Sequence, residues 1–337
     1  MPQLFISGWQ NPVWPRTQGA RQSADLSQSG INIVSKIRTS PLLDLRYRAE
    51  YLGLRLLIGM VRLVPIDVAG SISAKLWRFF GSRNRRHKRA LGNLERAFPD
   101  KSPEEREAIA RAAWENLGRV MVETMSIDRI LKDPRRLHVT NGHWIGRYKG
   151  KMGPALIVTM HMGNWEIGMW PVTLAGVRPA GVYRQVKNPY VDRYLRAQRK
   201  WLYPGGLFGR GRTAGIDETQ KTARLIMDYV RQGGRLGFIS DLYDANGIAV
   251  PFFGHPAKSM PIAAMIARRV GARIWIGRCV RIGNRACFDV NVNELRIPRT
   301  SNQAEDIRAI TAAIQRHFET WIRETPEQFM WSNRRWS

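Results

Sequence analysis

Cysteine is nearly missing from this 337-residue chain: Cys279 and Cys287 are the only two. Two thiols cannot build the disulfide framework of a small secreted domain. No histidine or cysteine stands near them at ligand spacing, so no metal site is expected, and the pair fits a reducing, cytosol-facing compartment. Acidic residues are also scarce. Against 27 Asp and Glu stand 54 Lys and Arg, a formal net charge of +27. Such a surplus attracts nucleic acid, an anionic membrane surface or an acidic protein or substrate, unless it is only a solvated, arginine-rich surface. A long uninterrupted apolar run is missing too. The most apolar N-terminal stretch, YLGLRLLIGMVRLVPIDVAG at 51–70, is broken by Arg55, Arg62 and Asp67. It falls short of a clean spanning helix and suits a helix lying in one leaflet, or else a buried helix of a soluble domain. Residues 1–40 are polar, with no apolar core of a signal peptide, and read as a disordered extension.

What is present is a 44% hydrophobic composition, enough for a substantial core. Residues 41–80 read as one or two apolar helices ending at Gly81. Directly beyond them lies the basic cluster RNRRHKR (83–89). Positive charge beside an amphipathic anchor holds a protein to anionic lipid, each residue adding about 1 kcal/mol near the surface. Nucleic-acid binding is the rival reading, but no aromatic or glycine interleaving accompanies the run. These two features set residues 41–90 apart as a membrane-associated helical segment, with 91–337 as a second domain.

The stretch SPEEREAIARAAWENLGRVMVETM (102–125) predicts a helix, with Ser102 as cap, Pro103 in the first turn and Glu105 completing a capping box. A short strand is expected around 137–145. From 154 onward, apolar runs (ALIVTM, AGVYR, LGFIS, ARIWIG) alternate with helix-like stretches, and the segments around the two cysteines also read as strands. That alternation predicts an α/β fold with a mainly parallel central sheet flanked by helices. GGLFGRG (205–211) lacks the strand-to-helix spacing of a dinucleotide-binding turn, so no such cofactor is expected.

Chemistry concentrates in ALIVTMHMGNWEIGMW (155–170), where His161 closes an apolar strand and Glu166 follows five positions later. Asn164 can cap a helix beginning near Trp165, with the Glu166 carboxylate in its first turn, favoured by the helix dipole. From there Glu166 can hold the imidazole tautomer while the other ring nitrogen faces a substrate. Such a pair deprotonates a hydroxyl. No serine or cysteine adjoins it, which favours direct attack by an acceptor hydroxyl over a covalent acyl-enzyme. By spacing alone such a pair is expected roughly 0.5 times by chance in this chain, and a structural histidine at a strand end is the other reading.

The surroundings add specificity. NLERAFPDKSPEEREAIARAAWENLGR (93–119), HMGNWE (161–166), GVYRQVKNPYVDRYL (181–195) and the GRGR turn (209–212) follow one another in order. GGRLGFISDLYDANGIAVPFFGHPAKSMPIAAMIARRVGA (233–272) and PEQFMWSNRRW (326–336) complete the series. With these blocks the chain resembles the lipid A late acyltransferases, the lauroyl/myristoyl family of the lysophospholipid acyltransferase superfamily, from about residue 44 to 336. The resemblance implies transfer of a fatty acyl chain from acyl carrier protein to a hydroxyl of a lipid A precursor, at the cytoplasmic face of an inner membrane. It makes His161 and Glu166 the catalytic dyad and acyl carrier protein thioester the co-substrate, with no further cofactor. Arg184 and Arg210 match arginines that bind glycolipid phosphates or stabilise developing negative charge. Asp241 matches an acid that orients an arginine or a sugar hydroxyl, or simply caps a loop. Phe252, Phe253 and Gly254 would border the acyl groove, where sequence physics alone reads a packed loop. Asn333 departs from the pattern, since many relatives carry a histidine before the final basic pair.

The basic surplus then has partners in a phosphorylated glycolipid, an anionic membrane and an acidic carrier protein. The same chemistry on another lipid acceptor, a glycerophospholipid or other glycolipid, is the nearest alternative. A nucleic-acid-binding protein rests on charge alone and leaves the ordered blocks unexplained.

Overall fold

A computed structural model gives the fold of residues 40–140, 153–210 and 216–336, with the side chains of 210 and 216–221 outside that description. All of the expected extension at 1–40 but its last residue, and the second half of the 137–145 segment, therefore lie outside the described residues.

Four helices come first: α1 (Pro41–Arg62), α2 (Ile66–Gly81), α3 (Arg85–Ala97) and α4 (Pro103–Thr124). Three of the four starts carry a side-chain cap. Ser40 accepts from the Leu43 amide at α1. Asn84, inside the basic run, caps α3 through the Arg86 amide at 3.0 Å. The capping box expected at α4 is complete, with Ser102 and Glu105 each accepting the other's backbone N–H. The basic run is not uniformly a surface feature: five of its cations are exposed, but His87 is buried between Glu107 and Trp114. A short helix, α5 (Ile127–Leu131), leads into the sheet.

The strands are β1 (Leu137–Thr140), β2 (Ala155–Thr159), β3 (Ala180–Arg184), β4 (Gly206–Arg210), β5 (Arg235–Ile239), β8 (Arg273–Arg281) and β9 (Phe288–Leu295). They form one seven-stranded sheet in the order β1-β9-β8-β2-β5-β3-β4. From β8 to β4 every neighbour is parallel, while β9 pairs antiparallel with β8 and carries β1 beside it. The crossovers are α6 (Trp170–Leu174), α7 (Pro189–Arg199), α8 (Ile216–Arg231) and α9 (Ile262–Val270), and α10 (Gln303–Glu324) closes the chain. This is the expected α/β arrangement.

Strand β2 shows why its sequence is apolar without interruption. Leu156 and Val158 face one core cluster, shared with α3, α9 and α10, while Ala155 and Ile157 face another, shared with α2, α4 and α6. Alternate side chains point to opposite faces, and here both faces are covered.

Two segments differ from expectation. The glycine-rich GGLFGR run is an edge strand, β4, whose pairing with β3 compensates for its weak strand propensity. PFFGHPAKSM is a two-stranded hairpin, β6 (Tyr243–Phe252) and β7 (His255–Ser259). Phe252 pairs with His255, so Phe253 and Gly254 form a two-residue turn, both with positive φ (50° and 75°). Phe253 bears that unusual conformation because Glu319 accepts its amide at 2.7 Å and the Arg323 guanidinium lies 4.4 Å from its ring centroid.

Among the described residues, no helix is long and apolar enough to cross a membrane. Helix α1 nevertheless buries only Ile58, while Leu45, Leu52, Leu56, Met60 and Leu63 form an exposed stripe at helical spacing. On α2 a second stripe contains Val68, Ile72, Leu76 and Phe79.

Candidate active site

The parallel register determines where the chemistry lies. Thr159 at the end of β2 pairs with Ile239 at the end of β5. Two residues beyond each stand His161 and Asp241. Ligands bind characteristically at the carboxyl ends of such strands. Asp241 accepts the His161 backbone N–H at 3.1 Å and contacts Nδ1 of its ring at 2.9 Å. The imidazole orientation is thereby set, leaving Nε2 for a reacting group. Burial disfavours the imidazolium, yet the Asp241 charge and hydrogen bond outweigh it, so the His161 pKa lies above its ordinary 6.5. Burial likewise opposes the Asp241 carboxylate, but His161 and the backbone donors hold its pKa below the ordinary 3.8. Trp165 presents an edge to the imidazole, with centroids 5.1 Å apart.

The turn after His161 is held by buried polar groups. Gly163 has φ +55°, and a Cβ there would lie 1.8 Å from the Cys279 carbonyl oxygen, so only glycine fits. Asn164 caps a turn where a helix start was expected, its Oδ1 accepting the amides of Glu166 and Ile167. Its Nδ2 donates to Glu123 at 2.8 Å, and Glu123 is paired with Arg281, both almost inaccessible. The C-terminal block forms a strap beneath the turn. Gln328 accepts the Gly163 amide, and Met330 donates to the His161 carbonyl. Asn333 contributes its carbonyl to the Asn93 side chain.

Glu166 differs from the sequence reading in two respects. No long helix starts at Trp165: a single 3-10 turn, Ile167–Met169, precedes the five-residue α6, whose Pro171 lacks an N–H donor. A dipole of useful size is therefore missing there. Nor does Glu166 orient the imidazole; both of its oxygens accept from Arg199 at the end of α7, at 2.6 and 2.7 Å. Asp241 takes the orienting part instead, because strand register sets it opposite His161. Despite burial, Glu166 raises the Arg199 pKa above its ordinary value.

Both groups open on a cavity of about 220 Å³. Its walls are largely apolar, including Ile157, Met169, Val182 and Leu207, and three arginines (Arg184, Arg199, Arg278) also line it. Arg184 is exposed at the end of β3. Arg210 ends the neighbouring β4 at the paired position, and its side chain lies outside the described residues. Phe252, Phe253 and Gly254 are not among the lining residues. The two phenylalanines are buried against α10, Trp331 and Trp336, where hairpin packing takes precedence over the groove expected from their position in the block.

Sequence reasoning missed Arg199, Glu123 and Arg281. Arg199 had a signal, a basic residue at the end of a capped helix; the other two pair across the fold with no local mark. Among the described residues, no group of three or more His, Cys, Asp or Glu could hold a metal ion. Hydroxyls among the described lining residues come from Thr159, Tyr183 and Tyr203, and burial pushes both tyrosine pKa values up, Tyr183 to about 12. Burial also raises the Cys279 thiol pKa, leaving it a poor nucleophile.

A carboxylate-oriented histidine at parallel strand ends, over an apolar cavity, defines an α/β protein equipped to take a proton from a bound hydroxyl. Residues 36–337 match the bacterial lipid A biosynthesis acyltransferases, and the chain belongs to that family. It is accordingly an acyltransferase of lipid A biosynthesis. No single curated protein matches the chain.

Proposed function

We propose that the protein moves a fatty acyl chain from the thioester of acyl carrier protein to a hydroxyl of a lipid A precursor, with His161 as general base. The observation that carries this reading is the His161–Asp241 pair beside the apolar cavity. The acceptor O–H proton passes to Nε2, and the oxygen attacks the thioester carbonyl carbon. The tetrahedral oxyanion then collapses, the C–S bond breaks, and the carrier thiol leaves with the proton from the imidazolium. Asp241 stabilises that cation, and Glu166 adds a second negative charge nearby.

Oxyanion stabilisation falls to the arginines. The amides of Met162, Gly163, Asn164, Glu166 and Ile167 are already bonded within the protein, so few backbone donors of this turn remain for an oxyanion. Arg184, exposed at the cavity, is the preferred donor, and it also suits a glycolipid phosphate. The apolar stripes of α1 and α2, with exposed cations from Arg83 to Arg89, support docking on an anionic inner-membrane surface from the cytoplasmic side.

The test combines purified protein, acyl carrier protein thioester and a lipid A precursor, read by mass spectrometry of the glycolipid, with a glycerophospholipid as parallel acceptor. A mass gain on the lipid A precursor that His161→Ala abolishes is expected. Acylation of the glycerophospholipid alone would overturn the acceptor, and full activity in His161→Ala would overturn the mechanism.

A further inference from the structure

Arg335 is 2% exposed, yet no carboxylate among the described residues pairs with it directly. Its Nη2 donates to Ser259 Oγ at 2.8 Å and to Gln315 Oε1 at 2.9 Å, and its Nη1 reaches the Lys258 carbonyl at 3.5 Å. The guanidinium carbon lies 4.3 Å from the Phe252 ring centroid. Leaving a cation among neutral partners in a protein interior is costly, and an apolar side chain of similar size would usually serve stability better. Its position in the fold suggests what offsets that cost. Gln315, fully buried on α10, donates its Nε2 to the Ser240 carbonyl at 3.1 Å, and Ser240 immediately precedes Asp241. Arg335, Gln315, Ser240, Asp241 and His161 therefore form one connected line.

We propose that Arg335 is a positioning residue for the reaction: its buried charge, connected through Gln315, keeps Asp241 ionised and sets the pH at which His161 becomes a base. Arg335, Asp241 and a neutral imidazole sum to zero charge. Around the cavity Glu166 and Arg199 also cancel, Arg278 is paired with Glu324, and Arg184 is exposed to solvent. Remaining cations near the hairpin have other contacts: Lys258 reaches the Ala245 carbonyl, Arg308 the Ala249 carbonyl, and Arg334 stacks on Tyr243. Removing Arg335 leaves the basic form of the pair with a net negative charge. Proton uptake by the pair then becomes easier, whichever of the two groups holds the proton.

The catalytic part of this inference rests on the reading above, but its test can be separated from it. Full-length protein carrying ring-¹³C histidine is titrated by NMR, with the His161 signal assigned by its loss in His161→Gln. Arg335→Met is expected to raise the His161 midpoint by about one pH unit. Arg335→Lys, which keeps the charge, should titrate close to the unsubstituted protein. The acid limb of kcat/KM for acyl transfer should move with the midpoint in each variant. If Arg335→Met does not fold, as judged by near-UV circular dichroism, Arg335→Gln replaces it. An unmoved midpoint in the folded neutral variant, or an equal shift in Arg335→Lys, overturns the proposal. A moved midpoint in a protein without acyl transfer would preserve the electrostatic role and remove the proposed reaction.

Discussion

The N-terminal helices and the strand-end site handle charge and apolar surface in opposite ways. On α1 the ion pairs are one turn apart, Arg46 with Glu50 and Arg48 with Asp44, both at 2.8 Å. Such pairs are solvated and contribute little to stability. Its leucines face outward, so α1 contributes little to the core. Contact with the rest of the protein runs through a few groups, among them Ile58 and Val61, Tyr51 against Tyr190 and Tyr194, the Asn188 side chain to the Tyr47 carbonyl and the Tyr190 hydroxyl to Asp44. At the site the bonds cross long stretches of chain: 80 residues from His161 to Asp241, 33 from Glu166 to Arg199, 158 from Glu123 to Arg281. There the charges are buried, and losing one partner strands the other. One region should therefore tolerate substitution in solution and fail at a membrane, whereas the other should fail in either setting.

The comparison can be broken at its strongest point first. His161→Ala should lower acyl transfer by about 10²–10⁴-fold and, by leaving the buried Asp241 carboxylate without its partner, also lower the thermal midpoint; steady-state kinetics beside a melting curve checks both. Next is Glu123→Ala, which leaves Arg281 buried without its acid. A loss of about 3–5 kcal/mol in urea unfolding is expected, and a loss below about 1 kcal/mol would mean that the pair does not support the turn.

Asp241→Asn should slow transfer at neutral pH by about ten- to a hundredfold and move the acid limb of kcat/KM downward. The sign follows from the environment. In the native site Asp241 raises the His161 pKa above 6.5, so activity appears as pH rises through that raised value. The stabilisation from the paired imidazolium is fully present below the unfolded pKa of about 6.5 and is lost as pH rises through the folded value. With asparagine, burial is opposed only by the more distant Glu166 charge, and the limb moves downward. Arg335→Met moves it the other way.

A smaller effect is expected on the outer face. Leu52→Asp with Leu56→Asp should weaken binding to phosphatidylglycerol-containing vesicles about tenfold or more, from lost apolar contact and added negative charge. Urea unfolding should stay within about 0.5 kcal/mol of the unsubstituted protein; a large stability loss would mean that the stripe packs inside the protein. Smallest of all, Ser102→Ala removes one helix cap and should cost about 1 kcal/mol, with transfer unchanged.

Elements whose cause is local were readable in sequence. The capping box of α4 and the uninterrupted apolar run of β2 both occur as expected. Glu166 illustrates the limit. Five residues after His161, it looked like the partner of the imidazole, and it lies near enough to influence that ring electrostatically. The hydrogen bond nevertheless belongs to Asp241, because neighbouring parallel strands bring equivalent positions together regardless of separation along the chain. Strand β4 was obscured for a related reason: its glycines carry little strand propensity, and pairing with β3 supplies what the local sequence lacks. At the Phe253–Gly254 turn, the contacts from Glu319 and Arg323 on α10 hold a conformation that local preference disfavours.

The amino-acid order alone thus specified the α/β alternation, the histidine at a strand end and the family resemblance. Those features depend on side-chain period, capping and composition, which act over a few residues. Which acid touches that histidine, which arginine neutralises Glu166, and how Arg335 connects to the reacting pair were decided by folding. Burial makes each of those charges dependent on a partner, and strand register and helix packing determine which distant residue is close enough to be one.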